Sequence, residues 1–598
     1  MIFGKHINKY LLRYLVFFVI AIGMLIVVDW FQLEIPKIIG SVVDKLQDGS
    51  IIDPYSEDFI NTILEIIKVA VILFLGRVIW RLSLFHASSK IEANIRHDMF
   101  LKAERLSTSY YHTTKVGTIM SWLTNDLDVL NEFIGWGPMM LTDGIFLSIF
   151  ALVKMFMVDW ALSLIALIPI LFIAVWGALV EKFMSERWKL RQESSDRLFD
   201  FSQENFTGIR VIKAFVKENR QIRQFAKIAK HDQEVNVDFV KISVIFDMVI
   251  EIIINCVFAI LLGFGGWFAY AFICGNPIVI FGHEIQLKAS TVVEMIGYFD
   301  TLVWPMIAIG QVVTMYTQAK ASFQRLSNFL DTPEDIQNPV NAVELKDVQG
   351  EIIFNHLSFK YPNSEYDQLK DISLTIKPGE KVGVVGRVGS GKSTLVNLLL
   401  RQYNIDKNSI FIDGVDIMET DIKSLRHNIG YVPQDNFLFS DSIKNNIGFS
   451  KESATDDEVI EAASFSEIHE SINSFPDKYE TISGERGQTL SGGQKQRISI
   501  ARAFLKKAPI LVMDDSVSAV DIDTEKNILN NIKEKRAGLT TIVISSRVST
   551  VNKFDKIIVL NNGELEAYDT PENLINISST YQKMVALQRL EAYEGGNA

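Results

Sequence analysis

Apolar residues are spread unevenly along this chain, and the unevenness divides it in two. The first half carries runs long enough to cross about 30 Å of hydrocarbon as helices, near residues 12–28, 60–79, 137–158, 161–180, 242–271 and 292–313. The pattern therefore predicts six transmembrane helices. Between them, residues 81–131 and 181–241 are polar, rich in both charges and largely free of proline, which predicts that the helices continue far outside the membrane. From about residue 351 the pattern shortens: 381–385 and 510–514 read as buried strands, and 394–400 opens a helix. Asp331-Thr332-Pro333 and Asn338-Pro339 punctuate the boundary. The expected organisation is a membrane domain over 1–325, a linker over 326–350, an α/β domain over 351–585 and a tail over 586–598.

Basic residues set the expected orientation. Lys5, Lys9 and Arg13 precede the first run, whereas Asp44, Asp48, Asp53 and Glu57 follow it with Lys45 as the lone base. This asymmetry places the amino end in the cytoplasm of a cell whose plasma membrane holds the chain. The short basic leader has no small-residue cleavage pattern after its apolar run, so no cleaved signal is expected.

Composition agrees with a two-part membrane protein: 598 residues, 48% of them hydrophobic, at a mean hydropathy of +0.18. The net charge of -12 argues against a nucleic-acid partner. Cys256 and Cys274 form neither a disulfide framework nor a metal-ligand spacing.

The α/β half carries the chemistry. Gly386-Arg-Val-Gly389-Ser390-Gly391-Lys392-Ser393, ahead of Thr394, fits the P-loop pattern between a strand and a helix. In that pattern backbone N–H groups face phosphates, the lysine reaches the outer phosphates, and the hydroxyl helps hold Mg²⁺. The chain is thus expected to bind a nucleoside triphosphate. The buried strand at 510–514 ends in the carboxylate Asp514, a second expected Mg²⁺ ligand. About a hundred residues past the P-loop stands Leu490-Ser491-Gly492-Gly493-Gln494, followed by the basic Lys495-Gln496-Arg497.

With that stretch the chain resembles the ATP-binding cassette (ABC) transporters, whose signature sequence it matches. The resemblance implies an α-helical membrane domain of six helices joined to an α/β P-loop cassette, with ATP and Mg²⁺ as cofactors. It further implies that Tyr361 stacks on adenine and that Gln434 contacts Mg²⁺ or water and senses the membrane domain. Gly484-Glu485-Arg486-Gly487 would touch the intracellular loops, and Ser518-Ala519-Val520-Asp521 resembles the D-loop with valine in place of leucine. In the membrane half, Tyr110 to Gly117 with Leu123 to Asp126, and Gly208 to Phe215, resemble the two intracellular loops of exporters with six helices per half.

Two positions depart from the family pattern. Where it has a glutamate after the Walker B aspartate, this chain has Asp515, and where it has a histidine before Arg547, this chain has Ser546. Aspartate is shorter by one C–C bond, about 1.5 Å. Misplacement by about 1 Å can cost about 10²-fold, and loss of a general base about 10²- to 10⁴-fold. Serine offers no imidazole to the γ-phosphate. The expectation is a site that binds ATP and hydrolyses it slowly; the alternative is a working site with tolerated substitutions.

Family cassettes pair head to tail, so the intact Ser491 to Gln494 signature would complete a site on a second, non-identical half-transporter bearing the glutamate and the histidine. One membrane half with one cassette requires a dimer. Carboxylates within the spans are costly and mark function. Asp247 and Glu251 lie four apart near the cytoplasmic end of their span, where solvation or pairing with lysines accounts for them as well. Asp143 and Asp300 lie deeper, and interleaved with Tyr298, Phe299, Trp304 and Met306 they would form an acidic wall for amphipathic organic cations. Lipid or peptide export, a homodimer, and an ATP-gated regulatory subunit or channel stay open alternatives.

Overall fold

The computed structural model describes residues 4–51, 55–280, 283–362 and 364–595. Contacts divide the chain into two compact units, one of residues 1–100 with 119–331 and one of residues 101–118 with 332–598.

The first unit is a helical bundle. Its long helices are Leu15–Gln32 continuing as Glu34–Gln47, Glu57–Arg105, Leu127–Thr142 continuing through a π-helical segment into Ser148–Val158, Trp160–Thr207, Glu218–Ile273 and Ala289–Asp331. Among the described residues four stretches are long and apolar enough to cross a membrane: Leu15–Gln47, Val116–Val158, Glu218–Ile273 and Ala289–Asp331. The other two expected runs also fall on long helices, yet they do not reach that standard. They are the helices Glu57–Arg105 and Trp160–Thr207, the latter carrying the apolar piece Trp160–Pro169 among its described residues.

The bundle turns large apolar side chains outward, among them Val16, Phe74, Leu82 and Ile168, as a surface solvated by lipid does. Inside, helices approach over small residues. A Cβ on Gly297 would stand 2.6 Å from Pro36 Cβ, and one on Gly144 would stand 2.8 Å from Ile309 Cγ1; lipid tails give no hydrophobic drive between helices, so close backbone packing has to hold them.

The helices break where the resemblance places intracellular loops, although the polar period alone predicts helices running on. Thr108–Thr113 is a short helix between Leu106 and Thr114, and Ile209–Ala214 is another between Gly208 and Phe215. The first belongs to the second compact unit. There Lys102 bonds Glu334 (3.0 Å) and the Ser107 hydroxyl donates to Asp335 (3.1 Å).

The acidic wall expected from Asp143 and Asp300 does not form as expected. Tyr298 and Phe299 are both 1% exposed and pack into the bundle, Phe299 edge-on to Phe258. Asp143 is buried too and accepts a hydrogen bond from Trp304 Nε1 at 2.9 Å. Asp300 and Trp304, four residues apart, stand on an exposed face of their helix. Helical periodicity separates 298 and 299 from 300, and packing against neighbouring helices then decides which face is hidden.

In the second unit a six-stranded sheet runs in the order Glu564–Asp569, Lys556–Asn561, Lys381–Gly386, Thr540–Ile544, Ile510–Asp514, Ile429–Val432. All pairings are parallel except that of the first strand with the second. The central strands are apolar throughout because both faces are covered. Val382, Val384, Ile510, Val512, Ile542 and Ile544 face a core shared with an antiparallel sheet. Val385, Leu511, Met513 and Val543 face the opposite core, against the helix Gly492–Leu505. Alternation of side chains along each strand makes this division.

Candidate functional site

The carboxyl ends of three neighbouring parallel strands meet in one place, where ligands of open α/β sheets bind. Ile544 pairs with both Val384 and Asp514, so the chain leaves the sheet side by side at Gly386, Asp515 and Ser545.

After Gly386 the P-loop turns into the helix Lys392–Leu399. Gly391 takes φ +97°, and a Cβ there would fall 2.5 Å from Leu369 Cδ2, so only glycine fits this turn. Gly389, at φ +83°, has open space around it, and its carbonyl accepts from Gln368 Nε2 (3.0 Å). The Ser390 hydroxyl is buried without a hydrogen-bond partner. Lys392 Nζ donates to the carbonyls of Gly386 (3.0 Å) and Arg387 (2.9 Å). Burial pushes its pKa down, and the charges of Asp514 and Asp515 oppose that shift. The ammonium therefore stands within the field of two carboxylates.

Ser393 and Asp514 meet across the strand end. Burial holds the Asp514 carboxyl above the usual carboxylate range; a hydrogen bond with Ser393 and the charge of Lys392 lower it, and Asp515 raises it. A hydroxyl, a buried carboxylate and a second carboxylate suit a hard divalent cation such as Mg²⁺, which takes oxygen ligands. The buried Ser390 hydroxyl and the glycine-walled turn suit phosphate oxygens.

Asp515 takes φ +45°, a left-handed conformation in which aspartate is among the more tolerated residues. Its backbone is fixed on three sides. The N–H donates to Ile544 O (3.0 Å), and the carbonyl accepts from Gln496 Nε2 (3.2 Å) and Ser518 Oγ (2.9 Å). Its Oδ1 is buried with no partner. Ser546 follows the next strand and is exposed. Gln434 is also exposed, just past the strand Ile429–Val432, whose Val432 pairs with Met513.

Tyr361 adjoins the P-loop through its hydroxyl, 2.9 Å from Thr394 Oγ1. Its ring packs edge-on to Phe359 and Tyr403, with centroids at 5.0 and 5.2 Å. The signature residues sit elsewhere. Ser491 caps the helix Gly492–Leu505 in a reciprocal box, its Oγ accepting from Gln494 N (3.3 Å) while Gln494 Oε1 accepts from Ser491 N (2.8 Å). A Cβ on Gly493 would stand 3.0 Å from Ala519 O, whereas Gly492 opens to space. No hydrogen bond or ion pair among the described residues joins Ser491 to Gln494 with the P-loop. Asp521 caps the helix Ile522–Lys535 through Thr524 N (2.9 Å), which holds its pKa down.

Sequence reasoning missed Gln496. It is 2% exposed, and besides its bond to the Asp515 carbonyl it accepts from Ala519 N (3.1 Å). It thereby links the signature helix to the Asp515–Ala519 turn. Its place beside the signature gave no hint, because partners 19 and 23 residues away are a matter of tertiary packing.

Comparisons with known proteins identify the family. A family model described as the ABC transporter transmembrane region matches residues 18–272, and one described as ABC transporter matches residues 369–518. The probable multidrug resistance ABC transporter ATP-binding/permease protein YheI of Bacillus subtilis is 33% identical, over 100% of this chain and 98% of its own length. The multidrug resistance-like ATP-binding protein MdlA of Escherichia coli is 31% identical, over 96% of this chain and 94% of its own. Among solved structures, a bacterial Atm1-family ABC exporter with ATP bound aligns at a TM-score of 0.77 and 24% identity, covering 97% of this chain and 99% of that one, which shows a shared fold. The chain is a multi-pass membrane protein and belongs to the ABC transporters, joining their transmembrane region to a cassette that binds ATP with Mg²⁺ and couples its hydrolysis to transport.

Proposed function

We propose that this chain is one half of a heterodimeric exporter with six membrane-spanning helices, and that its own ATP site is the slow one. Gly386 to Thr394 and Tyr361 would hold the nucleotide, Ser393, Asp514 and Gln434 the Mg²⁺, and Asp515 and Ser546 would stand at the glutamate and histidine positions. The observation that carries this reading is that Asp515 and Ser546 follow the ends of adjacent strands, Asp515 acting electrostatically on Lys392 and Asp514. Both altered side chains would then bear on one transition state, where positioned charge matters most. The intact signature, not bonded to this P-loop, would complete a site on a non-identical partner carrying the glutamate and the histidine.

The cargo we propose is amphipathic, drugs or lipids moved outward from a cytoplasmic-side cassette. The relatives named for multidrug resistance and the exposed Asp300 favour amphipathic cations.

Expression alone against co-expression tests the pairing. The purified chain alone should bind Mg²⁺-ATP with negligible turnover, and activity should appear when the partner is present. Steady hydrolysis by a verified homodimer, abolished by Lys392→Ala, would falsify the heterodimer.

A further inference from the structure

Outside the P-loop and signature, one side chain ties the carboxyl-terminal helix Ser579–Gly595 to the segment that carries Ser546. The short helix Val548–Val551 starts after Arg547, whose side chain does not cap it. Gln588 does so from 40 residues away: its Oε1 accepts from Val548 N (2.9 Å) and Ser549 N (3.4 Å). Its Nε2 donates to the Ser546 carbonyl (3.2 Å). Only this orientation of the amide satisfies all three groups, because the reverse would set an NH₂ against two N–H donors. On the other side Glu525 accepts from Thr550 Oγ1 (2.5 Å) and lies 3.7 Å from Arg547. The segment is gripped from two helices, and of these two side chains only Gln588 touches the backbone of Ser546 itself.

We infer that Gln588 is a positioning residue of the ATP site: it fixes the backbone of Ser546 to Ser549, so that docking of the carboxyl-terminal helix sets how this segment meets the nucleotide. The inference rests on the reading of Ser546 as the position that faces the γ-phosphate. A capping acceptor that serves two orphan N–H groups at a helix start holds that turn in place. Glutamine does here what a local serine or aspartate does at other helix starts, and so makes the turn depend on a distant element.

Hydrogen exchange on the full-length protein tests it, read at the amides of residues 546–551 with and without Mg²⁺-ATP. Gln588→Ala should speed exchange of Val548 and Ser549 by about 5- to 10-fold and abolish the slowing that Mg²⁺-ATP brings to this segment, while labelling of the P-loop by an ATP analogue persists. Gln588→Glu keeps the acceptor and should restore protection of the two amides. Unchanged exchange in Gln588→Ala overturns the inference. Faster exchange with no response to Mg²⁺-ATP even in the unaltered protein instead sinks the reading of Ser546, and with it any role of Gln588 in the ATP site.

Discussion

Asp515 shows how one methylene and one backbone angle act together. Its φ of +45° suits aspartate better than glutamate, since the left-handed region costs most residues about 1–2 kcal/mol. The rigid turn around it, held by Ile544, Gln496 and Ser518, fixes the origin of the side chain, so the shorter carboxylate cannot reach forward by bending the chain. Lengthening it should therefore restore reach. Asp515→Glu combined with Ser546→His is expected to raise ATP turnover at this chain's own site by about 10²-fold, measured as phosphate release from the chain expressed alone. Each substitution by itself should recover less, because a base without the imidazole, or the reverse, leaves the transition state half served. No gain in the double variant would mean that the two departures are not what slows this site.

At the scale of elements, the carboxyl-terminal helix depends on a carboxylate at its start. Glu566 accepts from Ser578 Oγ (2.7 Å), Thr580 N (2.9 Å) and Thr580 Oγ1 (2.5 Å). Burial pushes the Glu566 pKa up, but the hydrogen bonds from Thr580 and Ser578 outweigh burial and the net direction is down. A depressed carboxylate contributes stability above its unfolded pKa of about 4.3 and loses it as pH falls through the folded value. Docking of the helix should thus be unaffected from neutral pH down to about 5 and loosen in more acid solution. Glu566→Gln should loosen it at neutral pH as well, by about 2 kcal/mol. Limited proteolysis near residues 570–580 reads both effects; equal resistance of the variant and the unaltered protein would assign the docking to Leu574 and Tyr581, which are buried in the cassette core. Elsewhere the elements were largely legible in advance. The parallel strands at 381–386 and 510–514 follow from apolar run length, whereas the helix breaks at Gly208 and Thr114 were marked only by the resemblance to exporter intracellular loops, since period and charge there read as helices running on. The second and fourth apolar runs were legible too, and they fall on the helices Glu57–Arg105 and Trp160–Thr207.

For the whole molecule the proposed heterodimer makes a contrast between two motifs on one chain, which would serve different nucleotides. The helix Gly492–Leu505 turns its N-terminal, positive dipole end, capped by Ser491, to where an anion would be favoured; in the head-to-tail dimer proposed above that anion would be the partner's ATP. On that reading Ser491→Ala or Gly492→Glu should reduce ATPase activity and transport of the purified complex far more than Lys392→Ala, which would remove binding energy for the ATP of the slow site. Rates at saturating ATP make the comparison. The reverse order would put the active site on this chain's own P-loop. In the membrane half, the exposed Asp300 predicts that Asp300→Asn weakens export of cationic substrates by more than that of neutral ones. Equal losses, at normal expression, would leave Asp300 a structural residue.

The linear order of residues by itself determined the division into membrane and cassette halves, the P-loop, the Asp514 strand end and the signature, because these depend on local period and on motifs a few residues long. It also set Asp515 beside Asp514. Tertiary structure alone decided which side chains meet. It turned Tyr298, Phe299 and Asp143 into the bundle and left Asp300 exposed, since the packing of neighbouring helices chooses the hidden face. It also brought Gln496 to Asp515 and Gln588 to Ser546. Those contacts join residues 19 and 42 positions apart through single amides, and no period or spacing along a chain encodes which distant backbone a glutamine will reach.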